Sequence, residues 1–287
     1  MAEKLRAASV SIIANVFLIA IKLAVALMTN SIGVIAEVLH SLFDLVASVF
    51  AYLGIQKAEQ PPDRTHLYGH ERFENMSALV QTLLLVITSV LIIFEAWDRI
   101  QHPVALGMTE LGIAVIALSI VIDYLVAKFL HKASDKHGSS ALQADAYHFS
   151  TDLLTSVAVV IGLIGVRMGF TIADSLAAVL VALAMLFISF KIGTESVSVL
   201  LDASPPEELM GRIAMDVSKT RGVRGYHSLR ARRSGSKYFI DVSVHLDSSY
   251  SLKKAHAIAQ ALERKLKRDF PEVADVVVHE EPTDEHD

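Results

Sequence analysis

The chain has 287 residues, of which 53% are hydrophobic, and its formal net charge is −5 at pH 7. A charge this small and negative argues against a nucleic-acid-binding surface. The sequence contains no cysteine, which excludes a disulfide framework and a thiolate metal site. Long apolar runs dominate residues 1–200, whereas residues 203–287 alternate charged and apolar residues as soluble domains do. The composition therefore predicts a membrane domain over residues 1–202 and a globular domain over residues 203–287.

The membrane domain contains six apolar segments long enough to cross a bilayer as helices, since about 20 apolar residues are needed. These segments are 8–28, 32–55, 77–97, 108–130, 142–166 and 171–193. Helix-breaking residues separate them, among them Asn30, Pro61-Pro62, Pro103, Gly138 and Gly169. The pattern predicts an α-helical membrane protein with six transmembrane helices.

The distribution of Lys and Arg near the ends of these segments predicts their orientation. One side carries nine such residues: Lys4, Arg6, Lys57, Arg64, Arg72, Lys128, Lys132, Lys136 and Lys191. The other side carries two, Arg99 and Arg167. Because positive residues favour the cytoplasmic side, both termini and the C-terminal domain are predicted to be cytoplasmic. The absence of a long His-rich loop and of targeting signals favours a prokaryotic inner membrane.

The C-terminal domain shows alternating helix and strand patterns. A helix is predicted from Ser204-Pro205-Pro206 to about Thr220, and another over 251–269. Strands are predicted over 223–233, 236–247 and Val273–His279. The order αββαβ predicts a small ferredoxin-like, metallochaperone-like domain with its helices on one face of the sheet.

A short pattern, acidic-x-x-His-x-x-x-Asp, occurs twice in the membrane domain, at 36–45 and 144–153. The matching residues are Glu37, His40 and Asp44 in the first copy and Asp145, His148 and Asp152 in the second. Residues three and four apart share a helix face. Two imidazoles and two aspartates brought face to face would form a tetrahedral N/O site suited to a divalent ion such as zinc.

The alternative is that these histidines are core residues hydrogen-bonded to a neighbouring helix. Ionised groups at membrane depth are costly unless they are paired or bound to metal, so their repetition favours a functional site. The sequence predicts that His40, Asp44, His148 and Asp152 are metal ligands. Glu37 and Asp145 either orient the imidazoles as hydrogen-bond acceptors or face an aqueous vestibule.

Paired His-x-x-x-Asp motifs in the second and fifth of six spans, followed by an αββαβ domain, resemble the cation diffusion facilitator family. The resemblance covers nearly the whole chain. It implies a homodimeric transporter that exchanges divalent metal for protons, with His40, Asp44, His148 and Asp152 as the transport site. Members with this ligand set tend to carry Zn²⁺, whereas some bacterial members have Asp in place of the first His.

The loop after the second span contains the pattern Asp63-x-x-His66-x-x-x-His70. Zinc-transporting members of the family bind a second metal with a matching trio, so these residues are predicted ligands; alternatively, His70 caps or packs at the start of the third span. The resemblance also implies that Arg72 and Asp202 form a charge pair that holds the dimer. The alternative is two solvated charges near the headgroups.

The C-terminal domain contains scattered histidines whose spacing alone predicts no site. The resemblance implies a binuclear zinc site between protomers. Its predicted ligands are His227, His245, His256, His279 and Glu281. Glu281 stands where family members have Asp.

These observations predict an exporter of divalent metal, a Zn²⁺/H⁺ antiporter whose C-terminal domain senses metal. Fe²⁺, Co²⁺, Ni²⁺, Cd²⁺ or Mn²⁺ are alternative cargoes. A metal-responsive scaffold without flux is a second alternative. An intramembrane metallohydrolase would require an open coordination position and a motif such as His-Glu-x-x-His, which the sequence lacks.

Five intramembrane polar residues receive no role: Asn15, Lys22, Gln81, Glu95 and Asp123. For Asp123, a place in a proton path and a buried hydrogen bond are both open.

Overall fold

The computed structural model describes residues 2–29, 32–101, 110–168 and 173–283. The chain divides into two compact units, Met1–Val197 and Ser198–Asp287. Three of the predicted helix-breaking residues, Asn30, Pro103 and Gly169, lie outside the described residues.

The first unit is built from six long helices. They are α1 (Ala2–Thr29), α2 (Ile32–Ala58), α3 (Arg72–Gln101), α4 (Glu110–His137), α5 (Ser140–Arg167) and α6 (Ala173–Leu200). Among the described residues, four stretches are long and apolar enough to cross a membrane: Glu3–Val25, Arg72–Gln101, Ala114–His137 and Ser175–Leu200. Helices α2 and α5 have 27 and 28 residues but are not among the four. The predicted count of six spans is thus supported for four helices.

This helical unit places apolar side chains outside and polar side chains inside. Ile13, Phe94 and Phe187 are 67%, 68% and 73% exposed, whereas Asn15 and Gln81 are buried. Such a surface is unfavourable in water and favourable against lipid. The arrangement is that of a membrane domain whose polar residues face one another between helices.

Small residues allow these helices to pack closely. Gly54 of α2 lies against Ser77 of α3, and a Cβ atom at Gly54 would overlap the Ser77 side chain. Ser77 donates a hydrogen bond from its hydroxyl to the Phe50 carbonyl at 2.6 Å. The contact therefore joins α2 and α3 through both packing and hydrogen bonding.

The second unit has the predicted order αββαβ. Its elements are α7 (Glu207–Ser218), β1 (Gly225–Ser234), β2 (Lys237–Leu246), α8 (Leu252–Asp269) and β3 (Val273–Pro282). The strands form one sheet in the order β1-β2-β3, with β1 antiparallel and β3 parallel to the central β2. Strand β3 continues past the predicted end at His279, which brings Glu281 into the sheet.

The core of this unit lies between one face of β2 and the two helices. Alternate residues of β2 are buried, and they pack with side chains of α7 and α8. The set consists of Ile240, Val242, Val244 and Leu246 from β2, Ile213 and Val217 from α7, and Leu262 and Leu266 from α8. The intervening residues Asp241, Ser243 and His245 consequently lie on the opposite face of the sheet.

Candidate metal centres

The described residues contain three groups whose His, Asp or Glu ligand atoms all lie within 4.8 Å of one another. They are Asp44, His148 and Asp152; Asp63, His66 and His70; and His227, His245 and Glu281. All nine residues are among those that the sequence singled out.

The first group, the intramembrane cluster, joins α2 to α5. His148 Nε2 lies 2.9 Å from Asp44 Oδ1 and 3.8 Å from Asp152 Oδ2. His148 is 1% and Asp44 is 4% exposed. One imidazole nitrogen and two carboxylates therefore converge inside the helical unit. His40 belongs to α2, one turn before Asp44, but its side chain lies outside the described part of the structure, as does that of Glu37.

The intramembrane cluster presents hard and borderline donors of the kind that divalent ions accept. His148 Nε2 and Asp44 Oδ1 are at hydrogen-bond distance. Among the described residues, the other ring atom, His148 Nδ1, is buried and has no hydrogen-bond partner. A metal at Nε2 would replace the hydrogen bond to Asp44, so proton and metal compete for the same atom.

The sequence left two roles open for Asp145, namely accepting a hydrogen bond from an imidazole or facing an aqueous vestibule. The contacts of Asp145 in the structure match neither role. It is completely buried, and its Oδ1 accepts a hydrogen bond from Ser48 Oγ at 2.9 Å. Ser48 Oγ in turn accepts from Ser11 Oγ at 2.5 Å and from Asn15 Nδ2 at 2.9 Å. Sequence reasoning missed this network, although Ser48 follows Asp44 by one helical turn and is therefore on the same face.

The pairs Asp44–His148 and Ser48–Asp145 form two successive rungs between α2 and α5. From Asp44 to the later residue Ser48 on α2, the partner on α5 changes from His148 to the earlier residue Asp145. The two helices are therefore antiparallel. Ser11 and Asn15 attach α1 to the second rung. The site is thus fixed by three helices rather than by one.

Other intramembrane polar residues surround the cluster. Asp123 of α4 is 4% exposed and is within electrostatic range of Lys22, Asp44, His148 and Asp152. Lys22 Nζ donates to Ser41 Oγ at 2.9 Å. The region near the cluster therefore contains a fourth acidic residue and one lysine.

Two further unassigned residues have local roles. Gln81 Nε2 donates to Ser77 Oγ at 3.3 Å and to the Ala141 carbonyl at 3.4 Å, linking α3 to α5. Glu95 forms an exposed ion pair with Arg99, one turn away on α3.

The second group, the loop cluster, lies between α2 and α3. Asp63 Oδ1 accepts hydrogen bonds from Thr65 N, Thr65 Oγ1 and His66 N at 2.7–2.8 Å. The Thr65 hydroxyl and then the backbone N–H groups of His66 and Thr65 hold the pKa of Asp63 well below its usual range. Its second oxygen, Oδ2, lies 3.3 Å from His70 Nε2.

The loop cluster also shows the packing role considered for His70. The His70 ring is buried and packs against Phe73 at 5.9 Å and against His66 at 4.6 Å between ring centroids. A packed ring whose Nε2 lies 3.3 Å from Asp63 Oδ2 is compatible with both interpretations. One carboxylate with two imidazoles fits a borderline divalent ion.

The third group, the sheet cluster, lies on the face of the sheet opposite the helices. Register places Gly225, His245 and Glu281 in one row across the sheet, and His227, Ser243 and His279 in the next. His227 Nδ1 lies 2.8 Å from His245 Nε2, and Glu281 Oε2 lies 3.6 and 3.8 Å from the two rings. A register shift follows His227, with Ser228 at a positive φ of 49°.

The remaining predicted ligands of this domain are separated by the fold. His279 Nε2 approaches the other oxygen of Glu281 at 3.4 Å, so it adjoins the sheet cluster. His256 is on α8 and lies 3.9 Å from Glu280, which sequence reasoning had not considered. Glu280 follows His279 along the strand and therefore points to the other face.

Arg72 and Asp202 lie in different units, and their predicted pairing stays a prediction. Arg72 begins α3. Asp202 follows α6 with a positive φ of 62°, a conformation that ends a helix. Both residues have polar or electrostatic partners.

Comparison with known proteins adds to this geometry. Residues 8–201 match the cation efflux transmembrane domain, and residues 205–283 match the cytoplasmic domain of cation efflux proteins. The chain belongs to the cation efflux family. This confirms the resemblance to cation diffusion facilitators: the protein is a membrane transporter of divalent metal cations rather than an enzyme.

Individual members of the cation efflux family are similar over most of the chain. The cation-efflux pump FieF of Pectobacterium atrosepticum is 32% identical over 254 residues, covering 88% of this chain and 84% of that protein. FieF of Shewanella oneidensis is 31% identical and covers 96% and 93%. Metal tolerance protein C1 of Arabidopsis thaliana is 29% identical and covers 88% and 57%. A solved MamM-CTD structure is 26% identical, covers 26% of this chain and 96% of that one, and has a TM-score of 0.26.

Proposed function

We propose that this cation efflux protein is a Zn²⁺/H⁺ antiporter that exports metal through His40, Asp44, His148 and Asp152. The observation that supports this most is the intramembrane cluster, in which Asp44, His148 and Asp152 converge on one buried point between two helices. Three converging ligands inside a membrane unit, with His40 one turn away on α2, suit a tetrahedral ion such as Zn²⁺.

Proton coupling follows from the chemistry of these ligands. Imidazole nitrogen and carboxylate oxygen bind metal only after they lose their protons, so metal and protons exclude each other. The hydrogen bond between His148 Nε2 and Asp44 Oδ1 requires a proton between two atoms that would otherwise bind metal. Alternating exposure of such a site to the two sides of the membrane exchanges cytoplasmic metal for external protons.

The same reasoning extends to the rest of the chain. Residues 1–202 form the transport domain, and residues 203–287 form a metal-sensing and dimerisation domain of a homodimer. Both termini lie in the cytoplasm of a cell whose inner membrane holds the protein. The loop cluster and the sheet cluster hold regulatory zinc, and each fits it because each combines two imidazoles with one carboxylate.

Transport of another ion is the first alternative, because a His and Asp donor set also accepts Fe²⁺, Co²⁺, Cd²⁺ or Mn²⁺. A metal-responsive scaffold without flux is the second. The buried intramembrane cluster argues against the scaffold, since a sensor acting through its sheet cluster has no need of ligands inside the membrane unit.

The test is zinc uptake into proteoliposomes that carry a pH gradient, comparing the wild type with Asp152→Ala. We expect uptake that follows the gradient in the wild type and is lost in the variant. The matched control is Asp98→Ala, the same change at an exposed position of α3, and its uptake should equal that of the wild type.

If zinc is not taken up, the assay is repeated with Fe²⁺, Mn²⁺, Co²⁺ and Cd²⁺. Uptake of one of these ions would replace zinc as the cargo, and the absence of uptake for all of them would favour the scaffold. Equal uptake by the wild type and Asp152→Ala would remove the intramembrane cluster from the transport mechanism.

A further inference from the structure

The second rung between α2 and α5 contains a buried carboxyl group with one oxygen that has no hydrogen-bond partner among the described residues. Asp145 has 0% exposure, and its Oδ1 receives the Ser48 hydroxyl. Its Oδ2 is buried and, within the part of the chain that the structure describes, has no hydrogen-bond partner. An ionised carboxylate in this position would be poorly compensated, because buried charges require several hydrogen bonds or an opposite charge.

The Ser48 hydroxyl determines which Asp145 oxygen carries a proton. Ser48 Oγ already accepts hydrogen bonds from Ser11 and Asn15, so its own hydrogen is directed at Asp145 Oδ1. A hydroxyl that accepts twice and donates once is saturated. Oδ1 is therefore the acceptor, and a neutral carboxylic acid at this position has its proton on Oδ2.

The charged groups around Asp145 belong largely to the intramembrane cluster. On its own helix, His148 lies one turn away and Asp152 two turns away, and both act on it electrostatically. Helix α2 contributes Asp44, one turn before Ser48, whereas α1 contributes the neutral Ser11 and Asn15. From α3, Glu74 accepts a hydrogen bond from Ser139, which directly precedes α5. From α4, His131 lies at hydrogen-bond distance from Ser150, and Asp123 faces the cluster.

We propose that Asp145 is a second proton-binding site of the transporter, which gives up its proton when a divalent cation enters the intramembrane cluster. Two positive charges arriving about one helical turn away favour the carboxylate over the neutral acid. The O–H bond at Oδ2 breaks, the proton leaves to the water on the side from which the ion came, and the carboxylate remains facing the ion. When the ion departs on the other side, a proton from that side restores the acid.

This inference rests on the proposed function and adds a proton to its coupling. The protons displaced at the cluster come from ligands, whereas this one comes from a residue that does not touch the metal. The Ser48 rung keeps Asp145 one turn from His148, which is close enough for charge to couple the two sites and too far for Asp145 to replace a ligand.

The experiment counts the protons released when Zn²⁺ binds to the full-length protein in detergent. Calorimetric titrations in buffers of different ionisation enthalpy give this number for the wild type and for Asp145→Asn. Because asparagine cannot carry the proton, we expect Asp145→Asn to bind zinc at the cluster and to release roughly one proton fewer per protomer. The exposed Asp98→Asn is the matched control and should release as many protons as the wild type.

Infrared difference spectra of the zinc-bound minus the zinc-free protein provide an independent signature. The wild type should lose the carbonyl-stretch band of a protonated carboxylic acid when zinc binds, and Asp145→Asn should lack this change. If Asp145→Asn does not fold, the same band is followed in Ser48→Ala. Because the donor to Asp145 is then missing, the band should appear at a shifted frequency, and it should still disappear when zinc binds. A band that is absent, or that Ser48→Ala does not shift, overturns the proposal.

Equal proton release by the wild type and Asp145→Asn overturns the proposal while leaving metal–proton exchange in place. A wild type that takes up no metal in proteoliposomes overturns the proposed function itself. The two failures are therefore distinguishable, because the first appears only in the variant and the second appears in the unmodified protein.

Discussion

The two carboxylate oxygens of Asp63 contact different residues. Oδ1 accepts hydrogen bonds from three donors of Thr65 and His66, which shape the loop, whereas Oδ2 lies 3.3 Å from His70 Nε2. The same donors lower the pKa of Asp63, so the carboxylate is ionised throughout the pH range in which imidazoles bind metal. The loop therefore holds an ionised carboxylate beside two imidazoles, which is the donor set that the proposed loop metal needs.

We predict that Thr65→Val retains the loop metal and that Asp63→Ala loses it. The valine removes one of three donors and leaves both backbone N–H groups, so zinc affinity should fall by about tenfold, the lower end of the usual effect. The alanine removes the ligand oxygen itself and should reduce bound zinc by one ion per loop. Zinc stoichiometry after dialysis checks this; equal retention by both variants would mean that Asp63 does not bind the ion.

A second residue-scale prediction concerns Lys267, which joins α8 to β3. Its Nζ lies 2.7 Å from Glu263 and 2.8 Å from Asp275. The hydrogen bond from Lys267 lowers the pKa of Asp275, and the bonds to Asp275 and Glu263 raise the pKa of Lys267. Since the pKa of Asp275 is lower in the folded state, its stabilisation is present above the unfolded value, about 3.9, and is lost as the pH falls through the folded value.

Asp275→Asn should therefore lower the free energy of unfolding of the second unit at pH 7, by at most about 1 kcal/mol because the pair is partly solvated. The difference from the wild type should vanish in strong acid. Hydrogen exchange of the α8 and β3 amides measures it. Asp241→Asn is the control, since Asp241 pairs with the exposed Arg230 of β1 rather than with α8. A difference in the free energy of unfolding that grew as the pH fell would contradict this prediction.

At the scale of elements, the helical unit depends on residues that permit close approach. Gly54 lies where α2 meets α3, and the antiparallel pair of α2 and α5 is held by the two rungs described above. A side chain inserted between α2 and α3 would move α2, which carries Asp44. Packing between α2 and α3 and the geometry of the intramembrane cluster are consequently linked through α2.

We predict that Gly54→Ala destabilises the helical unit by about 1–3 kcal/mol, the usual range for overpacking. Gly211→Ala is the matched control, because a Cβ atom there meets no atom within 4 Å. Gly211 is inside α7, so its alanine should stabilise that helix by about 0.5–1 kcal/mol. Thermal unfolding of both variants in detergent checks the pair; similar destabilisation by both would contradict the steric explanation.

At the scale of the whole molecule, the chain has one cluster of candidate metal ligands inside its helical unit and another on the sheet of its second unit. The sheet cluster is assembled from β1, β2 and β3, and its face is not covered by α7 or α8. A surface of this kind is available to a second protomer. Metal on it would add to the association of two chains.

We predict that zinc raises the dimer fraction of the purified protein and that His245→Ala abolishes this effect. The reason is that His245 contacts both His227 and Glu281, so its loss dismantles the sheet cluster. His256→Ala is the control and should respond like the wild type, because His256 lies beside Glu280 instead. Sedimentation with and without zinc measures the response; a zinc-independent dimer in all three proteins would contradict it.

Sequence patterns predicted much of this architecture because the relevant information is local. The helix period placed His148 and Asp152 on one face, and the strand alternation predicted which residues of β2 are buried. The spacing of Asp63, His66 and His70 likewise sufficed, since a short loop cannot separate them widely. Composition distinguished the membrane domain from the soluble domain, and the repeated motif indicated the family.

Only the tertiary structure decided which distant residues meet. Ser48 pairs with Asp145 because α2 and α5 are antiparallel, and Ser11 and Asn15 join them from α1. His227 and His245 meet Glu281 through strand register, while α8 carries His256 to the other side of the sheet. Local periodicity fixes the face on which a side chain lies, but the partner across an interface depends on helix packing and strand register, which spacing along the chain does not encode.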